Sequence, residues 1–255
     1  MTIKHSKKKF ILIFFSALIF SRITPKADAS TGYLGIIPGL GHVTNGQTLE
    51  GIGWLSATIA GAVFGSIEKT APNLGFNIWM YQMYDAYQDS GGTPVSKNNP
   101  FTNYIAVVNP LNLLAPVSTP FLFAATASKW SKGNFSNVTA QRIAAYGFVG
   151  WSEEALFRGF LYPSWSNFFG SRGVGAITSS IFFAAAHFEF APAPMAFRTL
   201  AGLAYCWQVG IDKYDLRKSI FSHAWLDVFV ADSKISGPRS KQIGNGAALN
   251  FKLDF

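Results

Sequence analysis

Apolar residues in this chain run in uncharged blocks separated by short polar connections, and no window sustains the alternation of a half-buried strand. Residues 10–20 form the first block, and 51–67, 70–84, 98–128, 173–186 and 199–211 follow. A helix needs about 20 residues to cross a bilayer at ~1.5 Å per residue, and several unbroken apolar runs are shorter. Read with their flanks, they predict six or so helices, some tilted, broken or re-entrant. The expected fold class is therefore all-α, a multi-spanning transmembrane helical bundle. Asn109-Pro110 and Ala115-Pro116 interrupt the longest uncharged stretch, which predicts a kinked or re-entrant segment there rather than one straight span.

The first half has a pattern of its own. Pro38-Gly39-Leu40-Gly41-His42 leads to Asn45-Gly46-Gln47 and Glu50, and then Gly53, Ala57, Gly61 and Gly65 recur every fourth residue. Small residues at that spacing share a helix face on which a neighbouring helix can pack closely. Asp85-Ala86-Tyr87 closes the next apolar segment. Residues 33–90 resemble a small bacterial two-helix membrane module and are expected to form a packing hairpin. The Gly-, Pro- and Asn-rich stretch 90–100 reads as a linker. The expected organisation is a signal peptide over 1–29, the two-helix module over 30–92, a second membrane domain over 93–235 and a polar tail over 236–255.

Composition sharpens this picture. Charged residues are 13% of the chain, against about 25% in a typical soluble domain, which points to lipid. The net charge of +8 invites a nucleic-acid partner, but much of it lies in the leader. Without residues 1–29 the balance falls from 21 basic against 13 acidic side chains to 15 against 12, a charge of +3. No remaining basic patch is interleaved with aromatics that could stack bases, so nucleic acid is not expected. Lysines at 4 and 7–9, an apolar run and Ala27-Asp28-Ala29 make the pattern of a secretory signal peptide, with an uncleaved anchor as the alternative. Either directs the chain to a membrane, read as the bacterial inner membrane with a multi-pass topology. The single cysteine, Cys206, lies in an apolar run and is read as a small buried hydrophobe.

Candidate chemistry lies between residues 139 and 232. Glu154 and Arg158 are four apart and share a helix face, while Glu153 is rotated by about 100° and can point elsewhere. His187 ends an apolar run that contains Phe183, and His223 and Asp227 are again four apart. An ionisable group in an apolar helix costs about 2.5–3.5 kcal/mol on insertion scales, so the least costly arrangement brings these groups together around a wet cavity. Carboxylates, imidazoles and a guanidinium in one low-dielectric site are what water activation requires. A carboxylate takes a proton from water, histidines hold that water, bind a metal or stabilise an oxyanion, and the arginine fixes one carboxylate. His42 stands outside this constellation and is read as an interfacial polar residue.

Glu153-Glu154 with Arg158, Phe183 with His187, and His223 with Asp227 resemble the three motifs of the CAAX-protease and bacteriocin-processing family, EExxxR, FxxxH and HxxxN or HxxxD. The likeness covers roughly residues 100–232. It implies peptide-bond hydrolysis of membrane-associated or exported peptides, with Glu153 as general base and Glu154 paired to Arg158. His187 would position the water, and His223 would assist with Asp227. It also implies that His187 and His223 could be ligands of a zinc ion. Asp at 227 in place of Asn cannot donate a hydrogen bond to an oxyanion when ionised, which favours metal binding or histidine orientation for it. Both a zinc site and a metal-free site in which Glu153 activates water directly are consistent with these residues. The expected partners are a peptide or membrane-protein substrate and membrane lipid. The alternative is a non-proteolytic accessory or immunity protein that binds a peptide partner.

Overall fold

The structure, a computed structural model, describes residues 27–67, 73–92, 100–131 and 138–230. The expected leader, apart from its last three residues, and the expected tail lie outside the described residues. Among the described residues the fold is all-helical and contains no strand.

In chain order α1 is Ala27–Leu34, α2 Leu40–Thr44, α3 Thr48–Ile67, α4 Leu74–Asp89, α5 Pro100–Ile105 and α6 Ser118–Ser131. There follow α7 Ala140–Glu154, α8 Tyr162–Phe169, α9 Arg172–Ala186, α10 Pro192–Ile211 and α11 Arg217–Val230. These elements include short helices such as α2 and α5 beside the longer segments expected from the apolar blocks. Two 3-10 turns, Ala106–Val108 and Pro110–Leu114, separate α5 from α6. The expected break is there, and the Asn109 side chain accepts from the Leu111 amide to start the second turn. No helix among the described residues is long and apolar enough to cross a membrane. The longest, α3 and α10, have 20 residues each, so what they lack is apolar content: α3 carries Glu50 and α10 carries Arg198 and Gln208.

Local chemistry sets the helix ends. Thr139 caps α7 by accepting from the Arg142 amide at 3.2 Å, and Ser171 caps α9 by accepting from Val174 at 3.3 Å. Gly170 closes α8 in the left-handed conformation, φ 63°, at no steric cost. Pro192 opens α10, where its missing N–H is not needed. Between α7 and α8 the chain stays helical but widens into a π-type segment, Ala155–Leu161. Such segments are uncommon and concentrate at functional sites.

Helix α4 is the centre of the packing. It is buried on nearly every side, including Trp79, Met80, Tyr81, Gln82, Met83 and Tyr84. Tyr81 stacks on Trp151 of α7 with ring centroids 3.8 Å apart and planes 9° apart, and Ser152 donates to Asn77 at 3.1 Å. One hydrophobic core takes in Tyr33, Tyr81 and Tyr84 together with Trp151, Phe157, Phe160 and Ile220. The core therefore continues through the sequence boundary expected at 92–93.

The small-residue face of α3 does pack, but in a different rotation. Gly61 meets α4, where an added Cβ would lie 3.0 Å from the Gly75 Cα, and Gly51 and Gly65 are buried with it. Gly53 faces open space, since the two residues from Gly51 turn it by about 200° to the other side of the helix.

Candidate active site

Four elements converge on the predicted residues. Glu153 and Glu154 are the last two residues of α7, Arg158 lies in the π-type segment, His187 caps the end of α9, and His223 and Asp227 lie on α11. Close approach of α11 to α7 depends on Gly150, where a Cβ would sit 2.9 Å from the Ala224 amide nitrogen. That contact, one residue from His223 and three from Glu153, brings the carboxylates onto the imidazole.

His223 is the hub. Its Nδ1 meets Glu154 Oε1 at 2.7 Å, and its Nε2 faces Glu153 Oε2 and Asp227 Oδ2, each at 3.6 Å. Glu154 Oε1 is shared with Arg158 at 2.9 Å. Glu154 and Arg158 are fully buried, His223 and Asp227 nearly so, and the Glu153 side chain is 16% exposed. Adjacent glutamates thus differ in kind. Glu154 is anchored by two charged or polar partners, while Glu153 has rotated away from Arg158 toward the imidazole edge.

Several buried polar atoms have no hydrogen-bond partner, among them Glu153 Oε2, Asp227 Oδ2 and Glu154 Oε2. Separations of 3.6 Å are too long for direct hydrogen bonds and suit atoms that share a water. The space between His223 Nε2, Glu153 and Asp227 is therefore where a water would find an imidazole and two carboxylate oxygens.

Aromatic rings hold the charges in place. The Arg158 guanidinium lies 4.2 Å over the Phe183 ring and 5.2 Å over Tyr205. Phe183 also meets His187 and His223 edge-on, at 4.8 and 5.6 Å between centroids, and Tyr205 stacks parallel to His223 at 5.5 Å. Phe183 thus supports three of the candidate side chains at once. Tyr205 went unnoticed in the sequence because an aromatic in an apolar run carries no mark that separates it from core.

His187 is brought to the cluster but not into it. Its Nδ1 donates to the Phe183 carbonyl at 2.8 Å, which leaves Nε2 free to accept. Phe188 follows in the left-handed region, φ 55°, so the chain turns sharply at this histidine. Phe183 touches both His187 and His223. Their nitrogens do not converge with Glu153 as a three-donor set: among the described residues, the His, Cys and carboxylate groups whose ligand atoms lie within 4.8 Å of one another belong to the first half of the chain. Among the described residues these three side chains thus do not offer a ready donor set for the expected zinc ion.

Residues 135–229 match the family model described as Rce1-like, type II CAAX prenyl endopeptidase Rce1-like. Over this segment the chain is similar to the Rce1-like family. The segment contains every member of the candidate cluster, from Glu153 to Asp227. No curated protein and no solved structure matches the chain. The Rce1-like family consists of membrane proteins and implies a protease acting on peptide or protein substrates.

Proposed function

We propose that the chain is an endopeptidase embedded in a membrane, and that Glu153 activates the attacking water. The observation that carries this reading is the division of labour between adjacent glutamates. Glu154 is committed to Arg158 and His223, while Glu153 Oε2 is buried, unpartnered and faces His223 Nε2. Glu153 takes a proton as the water oxygen attacks the scissile carbonyl carbon. The tetrahedral intermediate then collapses, the C–N bond breaks, and the same proton passes from Glu153 to the departing amine. His223 is oriented by Glu154 through Nδ1 and presents Nε2 to the water. Asp227 faces the same nitrogen at 3.6 Å and shares that water with it. His187, with Nδ1 held by the Phe183 carbonyl, offers Nε2 to align the water or the substrate backbone.

Large exposed apolar side chains support the membrane setting. Ile52, Ile59, Val63 and Ile67 are exposed on α3, Phe123 on α6, and Leu200 and Trp207 on α10. Apolar surface on that scale needs a cover other than water, and lipid supplies it. The bacterial inner membrane and membrane-associated or exported peptides are the corresponding location and substrate class.

The experiment is cleavage of a membrane-peptide library by the purified protein in detergent beside Glu153→Gln. Loss of cleavage with an unchanged melting curve supports the assignment. Undiminished turnover removes Glu153 as the base. Cleavage by neither protein, with peptide retained by both, favours the accessory reading.

A further inference from the structure

A second polar cluster lies outside the Rce1-like segment. His42 on α2 is fully buried, and its Nε2 lies 3.2 Å from Asp85 Oδ2 and 4.0 Å from Asp89 Oδ2, both on α4. Glu50, in the first turn of α3, completes the group, and one ligand atom from each of the four residues lies within 4.8 Å of the other three. The expectation that His42 is an interfacial polar residue is corrected here: the glycine-rich turn before it carries the imidazole inward.

Charge makes the cluster unusual. Asp85 and Asp89 are four apart on one helix face, a like-charge pair that destabilises a helix, and Glu50 adds a third carboxylate. Among the described residues none of the three carboxylates forms an ion pair with lysine or arginine, and His42 is their sole ionic partner. One imidazole cannot balance three carboxylates even when protonated. His42 Nε2 donates to Asp85 Oδ2 at 3.2 Å, and Nδ1, buried without a hydrogen-bond partner among the described residues, can carry the ring proton instead when Nε2 acts as a ligand. An open pocket of about 290 Å³, lined by Glu50, Gly53, Trp54 and Asp85, gives access to the group from outside.

The carboxylates are also held from behind. Trp54 donates to Asp85 Oδ2 at 3.1 Å, and Gln47 donates to Asp89 Oδ2 at 2.9 Å and to Glu50 Oε2 at 3.2 Å. Outer donors of this kind orient ligating carboxylates in metal sites. One imidazole nitrogen and up to three carboxylate oxygens form a donor set for divalent ions such as zinc or manganese, whose bonds to these atoms are about 2.0–2.2 Å. In a tetrahedral shell of that radius neighbouring ligand atoms are about 3.3–3.6 Å apart, so the widest pairs in this group close by roughly an ångström on binding.

We propose that His42, Glu50, Asp85 and Asp89 bind a divalent cation of the zinc or manganese class. The ion would tie α2 and the start of α3 to α4, the central helix that packs on α7. This site is independent of the proteolytic reading and shares no residue with it.

The test is metal binding by the full-length protein in detergent, with zinc and manganese as separate titrants in calorimetry and cobalt as a spectroscopic probe. One equivalent is expected in the wild type and in Glu153→Gln and His187→Gln, with tight-site cobalt absorption bands. His42→Gln and Asp85→Asn should lose the bands. Glu50→Gln lies on the exposed rim, should fold normally, and should weaken binding by about ten-fold or more. An equivalent that survives in Glu50→Gln at unchanged affinity, one that disappears in His187→Gln but not in His42→Gln, or no equivalent in the wild type would each overturn the proposal.

Discussion

Replacing each of two neighbouring glutamates by glutamine should have opposite consequences. Glu154 is fully buried and touches both Arg158, at 2.9 Å, and His223, at 2.7 Å. Glutamine keeps the shape but leaves the Arg158 guanidinium as a buried cation without its counter-ion. Removing one partner of a buried pair costs about 3–5 kcal/mol. Relief of repulsion against Glu153 and Asp227 acts the other way, which places Glu154→Gln near the low end, at about 3 kcal/mol. For a chain of this size, each kcal/mol lowers the melting temperature by about 2–4 °C, so the expected drop is roughly 6–12 °C. Glu153 is bound to no hydrogen-bond donor through Oε2 and is partly exposed, so Glu153→Gln should leave the melt within about 0.5 kcal/mol of wild type. Loss of a general base, in contrast, should lower cleavage by about 10²–10⁴-fold. The assay is a thermal melt in detergent for both variants, paired with peptide cleavage at a temperature well below either melt. The reasoning is refuted if Glu154→Gln melts with the wild type while Glu153→Gln is the destabilised variant.

Other substitutions probe the frame around the cluster. Gly150→Val should drive α11 away from α7, with a cost of about 1–3 kcal/mol in a denaturant titration and a loss of cleavage out of proportion to it, because the Glu153–His223 spacing changes. Phe183→Ala should cost about 3–5 kcal/mol, since the ring supports Arg158, His187 and His223 together, whereas Phe183→Leu should recover much of the stability but not the activity. Tyr205→Phe keeps the stack on His223 and removes a buried hydroxyl without a hydrogen-bond partner, so the melt should stay level or rise. Because the donors of His187, His223 and Glu153 do not converge, brief treatment with chelator should leave the initial rate of cleavage unchanged, as measured well below the melting temperature.

Much of the side-chain cluster was legible along the chain because it is helical and local. The i, i+4 spacing of Glu154 and Arg158 gave the ion pair, and the ~100° offset of Glu153 gave its separate direction. The cost of burying ionisable groups in apolar helices gave their convergence, which the contacts of His223 with Glu153, Glu154 and Asp227 display. What required the tertiary structure was the identity of the hub and of its supports. Nothing in the sequence orders His223 ahead of His187, and the difference comes from the α7–α11 approach at Gly150, which brings His223 onto the carboxylates. The π-type segment Ala155–Leu161 has no residue signature, since its extra residue per turn is accommodated by packing against α4, with Gly159 under Tyr84. His42 was misread for a related reason: its acidic partners lie more than forty residues away on α4, and their spacing to it means nothing until α2, α3 and α4 are folded together.

The most direct test of the proteolytic account is to incubate the purified protein with a membrane-peptide library in ¹⁸O-labelled water and identify new chain termini by mass spectrometry. The account predicts new carboxyl termini carrying the heavy oxygen with the wild type and their absence with Glu153→Gln. Equal yields of labelled termini from both proteins would contradict it.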